Sequence, residues 1–447
     1  MQWNTFRSQS VSEGNRESLH VVVIGGGAAG FFGAIQAANA AKQSFPPLQV
    51  TLLEAAHQPL AKVRISGGGR CNVTHACFEP TTLIQNYPRG GKALLGAFNR
   101  FQPRDLVAWF AAQDVELKTE ADGRMFPITD DSNTIVECLI WEAKKAGVML
   151  DLGKPVLEVQ RFTTEEGRQK FEVTLKSGKQ IWCDRILLAT GSNPKGYQIA
   201  KALGHTIEAP VPSLFTFNIN DPQLHELAGV SVESAKLQLV PQEVESKAGK
   251  KAKNQLEQTG ALLVTHWGLS GPAVLKLSAW AARTLHECGY QMNLRVNWLP
   301  QFHSEMVRQT LLDSKQEFFK RSLGSHCPFA LPRRLWQYLL ARTEIASDKR
   351  WSELPNKAIN ELTIALTASI YAIAGKGVFK EEFVTCGGVN LKEVDFKTME
   401  SRICPGLYFA GEVLDIDGVT GGFNFQSAWT TSWLAGQAIG ARSQLAP

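Results

Sequence analysis

The chain has 447 residues, 44% hydrophobic and 20% charged, and its 47 basic and 42 acidic side chains leave a formal charge of +5. That length supports two or three domains with cores of their own, and so small a charge, spread along the chain, gives no argument for a nucleic-acid partner. There is no run of 18 apolar residues and no disulfide-framework spacing among the eight cysteines, so the expectation is a cytoplasmic chain with no membrane span.

Residues 1–18 are polar and lack the apolar core of a signal peptide, so they are expected to be a disordered extension. Leu19 to Glu54 then reads as strand, glycine turn, helix, strand. Val21 to Ile24 form a continuous apolar run, as in a parallel strand buried on both faces. Gly25, Gly27 and Gly30 give G-x-G-x-x-G before an Ala-rich helical run from Ala28 to about Ala41. The first glycine permits the tight turn, the second lets backbone approach a pyrophosphate, and the third lets helix pack on strand. The helix N-terminus offers unpaired N–H groups to the phosphates, and Glu54, ending the next apolar strand, is placed to accept hydrogen bonds from ribose hydroxyls.

Next comes Lys62 to Asn72, with three consecutive glycines among polar groups, a pattern that holds backbone close to a flat or anionic ligand. Helical patterns follow near Lys92 to Phe101, Asp105 to Ala112 and Ser132 to Lys145, then a short strand at Val148 to Leu150. Val156 to Phe162 and Phe171 to Leu175 read as a hairpin. Ile181 to Ala189 reads as one buried strand ending in Thr190-Gly191, a turn that would face the bound dinucleotide. From about Pro210 short β-like runs surround one helix, Pro272 to Leu285, and amphipathic helices follow between about 300 and 368. The basic run Lys247 to Lys253 reads as a solvated hairpin tip. After Phe379 α/β character resumes. Leu407 to Ala410 is a strand, Gly411-Glu412 follows, and Gly421-Gly422 opens a long small-residue helix from about Ser427 to Gly440.

The expected fold class is therefore α/β: a two-segment Rossmann-type domain (19–209 and 379–447) with an inserted β-barrel-like domain plus small helical domain (210–378). One glycine fingerprint with a second helix N-terminus at the far end of the chain suggests FAD rather than NAD. The first site would hold the ADP half, Glu412 the ribityl hydroxyls, and the Gly421-Gly422 turn would face the flavin pyrimidine and its reduction charge. No second strand–GxGxxG–helix unit is present to serve a nicotinamide.

The glycine fingerprint, ISGGGRCN (Ile65 to Asn72), DGRMFP (Asp122 to Pro127), LLATGS, THWGLSGPAVL, CGGV and the long run from Thr398 to Trp429 resemble the BaiN/aminoacetone-oxidase-like family of bacterial NAD(P)/FAD-dependent oxidoreductases. The resemblance covers nearly all of the chain after its first 18 residues. It implies FAD contacts at Gly25, Gly27, Ala29, Gly30, Glu54, Lys62, Ser66, Gly68, Arg70, Thr190, Gly191, Gly411, Glu412, Gly422, Asn424 and Gln426. Three positions depart from the family pattern: His75 stands where Asn is expected, Cys386 where Ala is usual and Phe423 where Tyr is usual. One branch of the family reduces carbon–carbon double bonds and another oxidises an amine with oxygen.

With flavin supplying the redox chemistry, the protein has only to position a substrate and move a proton. The catalytic candidates are Arg70, for developing charge or a carboxylate, and His266 beside Trp267, as an acid or base. Asp415, Asp417, Tyr197 and Arg124 are weaker. Cys71 and Cys77 are spaced C-x5-C rather than the C-x4-C of disulfide reductases, which argues against a redox pair. No metal-ligand spacing is present. The resulting expectation is hydride transfer between flavin and a small or steroid-like substrate, with NAD(P)H or oxygen as the other redox partner. A tRNA methyl-transfer flavoprotein and a non-catalytic flavin-binding redox sensor are the alternatives.

Overall fold

In a computed structural model, which describes residues 18–42, 48–164, 167–240, 256–377 and 384–442, the apolar run Val21 to Ile24 lies at the middle of a sheet. The polar segment 1–17 and the basic run Lys247 to Lys253 lie outside the described residues. β1 (Leu19–Ile24) pairs in parallel with β2 (Leu48–Glu54) on one side and with Arg185–Leu188 on the other. Met149–Leu152 extends the parallel set beyond β2, and Leu407–Phe409 extends it beyond Arg185–Leu188. Two short antiparallel strands, Glu400–Ser401 and Val394–Asp395, finish the seven-stranded order. A strand with neighbours on both edges and both faces covered needs apolar side chains throughout, and Val21, Val22, Val23 and Leu52 are fully buried.

α1 (Ala28–Ala40) and the terminal helix Phe423–Arg442 lie against each other through their small residues. A Cβ on Gly436 would sit 2.8 Å from the Gly33 carbonyl oxygen, and one on Gly440 would sit 2.4 Å from the Ala40 Cβ. Larger residues there would push the helices apart. The small residues of the last 20-residue helix thus dock the second chain segment onto the first.

Between the two segments the chain leaves along Ile207–Ser213 and returns antiparallel to it along Val384–Val389. Between them six strands close a barrel in the order Phe217–Ile219, Gly268–Ser270, Glu257–Thr265, Ser231–Val240, Met292–Asn297 and Ser369–Lys376. Helices Ser304–Glu317, Arg333–Arg342 and Asn356–Thr367 share a core with the barrel, including buried Trp298, Trp336 and Trp351.

Two elements differ from their sequence expectation. Ile181 to Ala189 is two strands, because Asp184 stops the first and accepts the His20 backbone N–H at 2.8 Å. Gln180–Cys183 closes a three-stranded meander, and only Arg185–Leu188 enters the main sheet. Pro272 to Leu285 is two helices, Pro272–Trp280 and Ala282–Glu287, the second turned so that Ala282 packs with Val211 and Cys386.

His205, 3% exposed, takes a hydrogen bond from the Ser401 hydroxyl on Nε2 (2.8 Å) and gives one from Nδ1 to the Ala200 carbonyl (3.1 Å). This arrangement suits the neutral ring, and burial pushes its pKa below the ordinary histidine value. The unfolded chain therefore binds the proton first as pH falls. Stability is expected to be complete above pH ~6.5 and to fall below it. Urea melts between pH 8 and 5 should show that decline, and His205→Phe should make it shallower.

Candidate cofactor-binding cleft

The cleft begins where β1 ends. The Gly25 N–H donates to the Leu53 carbonyl at 2.8 Å, and the Gly26 carbonyl accepts from Leu60 at 2.8 Å, so the turn is tied to β2 and to the chain beyond it. A Cβ on Gly30 would lie 1.8 Å from the Gly25 oxygen, which forces glycine where α1 presses on the turn. Gly27 is different: a Cβ there would meet nothing within 4 Å, and as N-cap it offers α1 no side-chain acceptor. Open space over an uncapped helix N-terminus is a cradle for a phosphate. Glu54 accepts from the N–H groups of Gly26 (2.6 Å) and Ala56 (2.8 Å), which fixes its carboxylate beside the turn.

Lys62 joins the two chain segments. From α2 (Ala61–Gly69) its ammonium bonds Glu412 at 2.5 Å and the Ser192 hydroxyl at 3.2 Å. Glu412 also accepts from the Thr385 N–H at 3.0 Å. Gly411, beside it, lies so close to α1 that a Cβ would approach that of Ala29 to 2.9 Å. The α2 helix breaks at Ser66, whose hydroxyl donates to the Val63 carbonyl, and Gly67, Gly68 and Gly69 all adopt left-handed φ of 59°, 70° and 84°. Only glycine takes three such conformations in a row without strain. A Cβ on Gly68 or Gly69 would meet nothing within 4 Å, so the loop presents bare backbone to open space.

At the far end Gly422 packs its Cα against Thr74, where a Cβ would meet the carbonyl at 2.5 Å. The Asn72 side-chain oxygen accepts the Gly422 N–H at 3.0 Å. His75 stacks on Phe423 with centroids 4.7 Å apart, and its Nε2 lies 3.1 Å from the Asp122 carbonyl. Burial holds the His75 pKa down against the opposing pull of Asp122, with a smaller push in the same direction from Lys276 on the barrel's helix.

Several residues expected at the cofactor make bonds within the protein. Asn424 accepts from the Gly418 N–H (2.8 Å) and donates to its carbonyl (2.9 Å), bracing the loop before the terminal helix. Gln426 is fully buried between the Thr74 hydroxyl (2.6 Å) and Thr430 (3.0 Å). The Thr190 hydroxyl is directed toward Gly196, where a Cβ would lie 1.8 Å from it, and it is buried with no hydrogen-bond partner within the protein. Arg70 bonds Glu120 at 2.6 Å, pairs with Asp130 at 3.4 Å and lies 4.0 Å over the Phe126 ring. Its charge is already answered, so it braces the glycine loop against the Arg124–Pro127 strand. His266 lies between two strands of the barrel. It is exposed at the tip of the Glu257–Thr265/Gly268–Ser270 hairpin, where the Trp267 carbonyl accepts from Ile219. That is the far end of the strand whose near end follows Ser213, the link to the nucleotide domain.

Cys71 is fully buried and its thiol is pushed up to about 12 by burial, which suits a packing residue rather than half of a redox pair. Sequence reasoning missed Arg89 and Arg283. Arg89 pairs with fully buried Asp417, which also accepts from the Ser213 hydroxyl at 2.9 Å. Arg283 grips both oxygens of Asp415 at 3.1 Å. Asp417 carried a sequence signal, Asp before glycine in the terminal motif, but the two arginines had none. Among the described residues no group of three or more His, Cys, Asp or Glu could hold a metal, and no helix is long and apolar enough to cross a membrane.

The model of the HI0933-like protein Rossmann domain matches residues 19–438. Among curated proteins, the 3-dehydro-bile acid delta(4,6)-reductase of Clostridium scindens is 29% identical over 437 residues, covering 94% of this chain and 98% of that one. The ribosomal RNA dihydrouridine synthase of Escherichia coli is 30% identical over 448 residues, covering 95% and 98%. Its namesake in Haemophilus influenzae is 30% identical over 429 residues, covering 94% and 98%. Among solved structures, a 3-ketosteroid-delta4-(5alpha)-dehydrogenase from Rhodococcus jostii RHA1 aligns with a TM-score of 0.48 at 14% identity, covering 97% of this chain and all of that one.

Proposed function

The chain belongs to the HI0933-like Rossmann-domain family and is an oxidoreductase of the flavoprotein type; from that premise we propose that it holds one FAD and saturates a carbon–carbon double bond conjugated to a carbonyl. The observation that supports the cofactor most is the Lys62–Glu412 contact, which brings both chain segments into one cleft with the Gly25–Gly30 turn. The residues fit the group: Gly27, Gly68 and Gly69 face open space, and the buried Tyr197 hydroxyl has no partner within the protein. Gly27 and the first turn of α1 would hold the pyrophosphate, Glu54 the adenosine ribose, and Lys62 and Glu412 the chain leading to the flavin.

The reaction rests on two relatives of different name and one chemistry. A delta(4,6)-reductase saturates double bonds of a 3-dehydro bile acid, and dihydrouridine is uridine with its ring double bond saturated. In both the double bond is conjugated to a carbonyl, so the far carbon accepts hydride and the near carbon then takes a proton. When bound and reduced, the flavin supplies that hydride; NAD(P)H replenishes it. The protein's part is to hold the acceptor at the mouth formed by the glycine loop, His75 and the barrel helix carrying Lys276, and to keep water out. A steroid-like enone is the first reading. A uracil base in RNA is the second, favoured by the names of two relatives.

The test is anaerobic stopped-flow of the purified protein, following flavin absorbance. NADH or NADPH should bleach it rapidly, and a steroid dienone or a uridine-containing ribosomal RNA transcript should restore the colour. Whichever acceptor restores it names the substrate class. Bleaching by aminoacetone alone would make the protein an amine oxidase and overturn the reading. No bleaching by any reductant would leave a flavin-binding sensor.

A further inference from the structure

Helix Pro194–Ala202 follows the Thr190-Gly191 turn, and its start is fixed in three ways. Asn193 accepts the Lys195 N–H at 2.9 Å, Pro194 occupies the first turn, and Gly196 lies against Thr190. One residue on, Tyr197 is 8% exposed, and its hydroxyl, itself shielded from solvent, has no hydrogen-bond partner within the protein. A buried hydroxyl left unpaired is costly, so such a group usually has a partner that binds there.

The surroundings narrow what that partner can be. The phenol is pushed up by burial first and then by the nearby Glu412 and Asp415 carboxylates, so it stays protonated and can donate. Neither carboxylate accepts its proton. Glu412 is taken by Lys62 and the Thr385 N–H, and Asp415 by both contacts from Arg283. The Glu412 carboxylate also lies 3.7 Å from where a Gly191 Cβ would be, so turn and acid border one space. A group that both donates and accepts, beside an occupied carboxylate and a glycine turn, suits another hydroxyl.

We propose that Tyr197 is a cofactor-positioning residue whose hydroxyl bonds the polyol chain of FAD, between its pyrophosphate and its ring. This rests on the FAD reading above. The bond exists only in the loaded protein, which gives the proposal a sign that a purely structural tyrosine would not show. Tyr197→Phe removes an unsatisfied group from the apoprotein and a satisfied one from the complex.

The test compares wild type and Tyr197→Phe as full-length apoproteins by melting temperature, and measures FAD and ADP affinity by fluorescence and calorimetry. The expected result is an unchanged or higher apoprotein melting temperature, FAD binding weaker by about tenfold, and unchanged ADP affinity. Equal FAD affinity in the two proteins would overturn the proposal. So would a parallel loss of ADP affinity or of apoprotein stability, since either marks a structural role. Wild type that binds ADP but no FAD would instead sink the cofactor reading itself, and this proposal with it.

Discussion

Gly27→Ala is expected to leave the apoprotein as stable as its parent and to lower FAD affinity by more than about 100-fold, or ~3 kcal/mol. The methyl would meet no protein atom within 4 Å, and the backbone at this N-cap (φ −87°) is allowed for alanine. It would project into the space that a pyrophosphate needs for close approach to the helix N-terminus. Gly30→Ala, three residues on, should behave differently, because its methyl would fall 1.8 Å from the Gly25 oxygen. The turn and α1 would have to separate, at a cost of about 1–3 kcal/mol or more, and flavin would be lost as a consequence of that displacement. Flavin content after purification and thermal melting of the apoproteins distinguish the two. Full flavin retention in Gly27→Ala would remove the phosphate role from this turn.

The second large effect is at the junction between the nucleotide domain and the barrel. Asp417 is fully buried, its carboxyl pushed up by burial and pulled back by the Arg89 guanidinium, with the Ser213 hydroxyl as a further donor. Ser213 ends the strand that leads into the barrel, so this one carboxylate ties the terminal motif to the linker. Asp417→Ala is expected to destabilise the protein by about 3–5 kcal/mol, because it leaves the Arg89 charge largely buried and unanswered. The double variant Arg89→Met/Asp417→Leu should lose far less, since an apolar pair of similar volume carries no desolvation cost. Urea unfolding of the three proteins measures this. A double variant as unstable as the single one would show that the pair acts through geometry rather than charge balance.

Much of the nucleotide domain was legible in the sequence, and for local reasons. Val21 to Ile24, the spacing of Gly25, Gly27 and Gly30, and the acid at Glu54 each follow from what one strand, one tight turn and one helix start require of their own residues. Ser132–Lys145 was legible to its ends, because Asp131 caps it by accepting the Asn133 N–H and its apolar face repeats at helical spacing. Ile181 to Ala189 was not, since the side chain of Asp184 that divides it pairs with His20, more than 160 residues away.

The site divides along the same line. By itself, the sequence determined that two glycine-bearing helix starts exist and that each follows a buried strand with an acid nearby. Only the tertiary structure decided that Lys62 reaches Glu412, that Asn424 and Gln426 spend their amides inside the fold, that Arg70 is held by Glu120 and Asp130, and that His266 is exposed at the tip of a barrel hairpin. The physical reason is range. Backbone conformation and periodicity are set by neighbours a few residues apart. Which charge meets which across 350 positions is set by how helix faces and barrel dock, and a short motif holds no record of that.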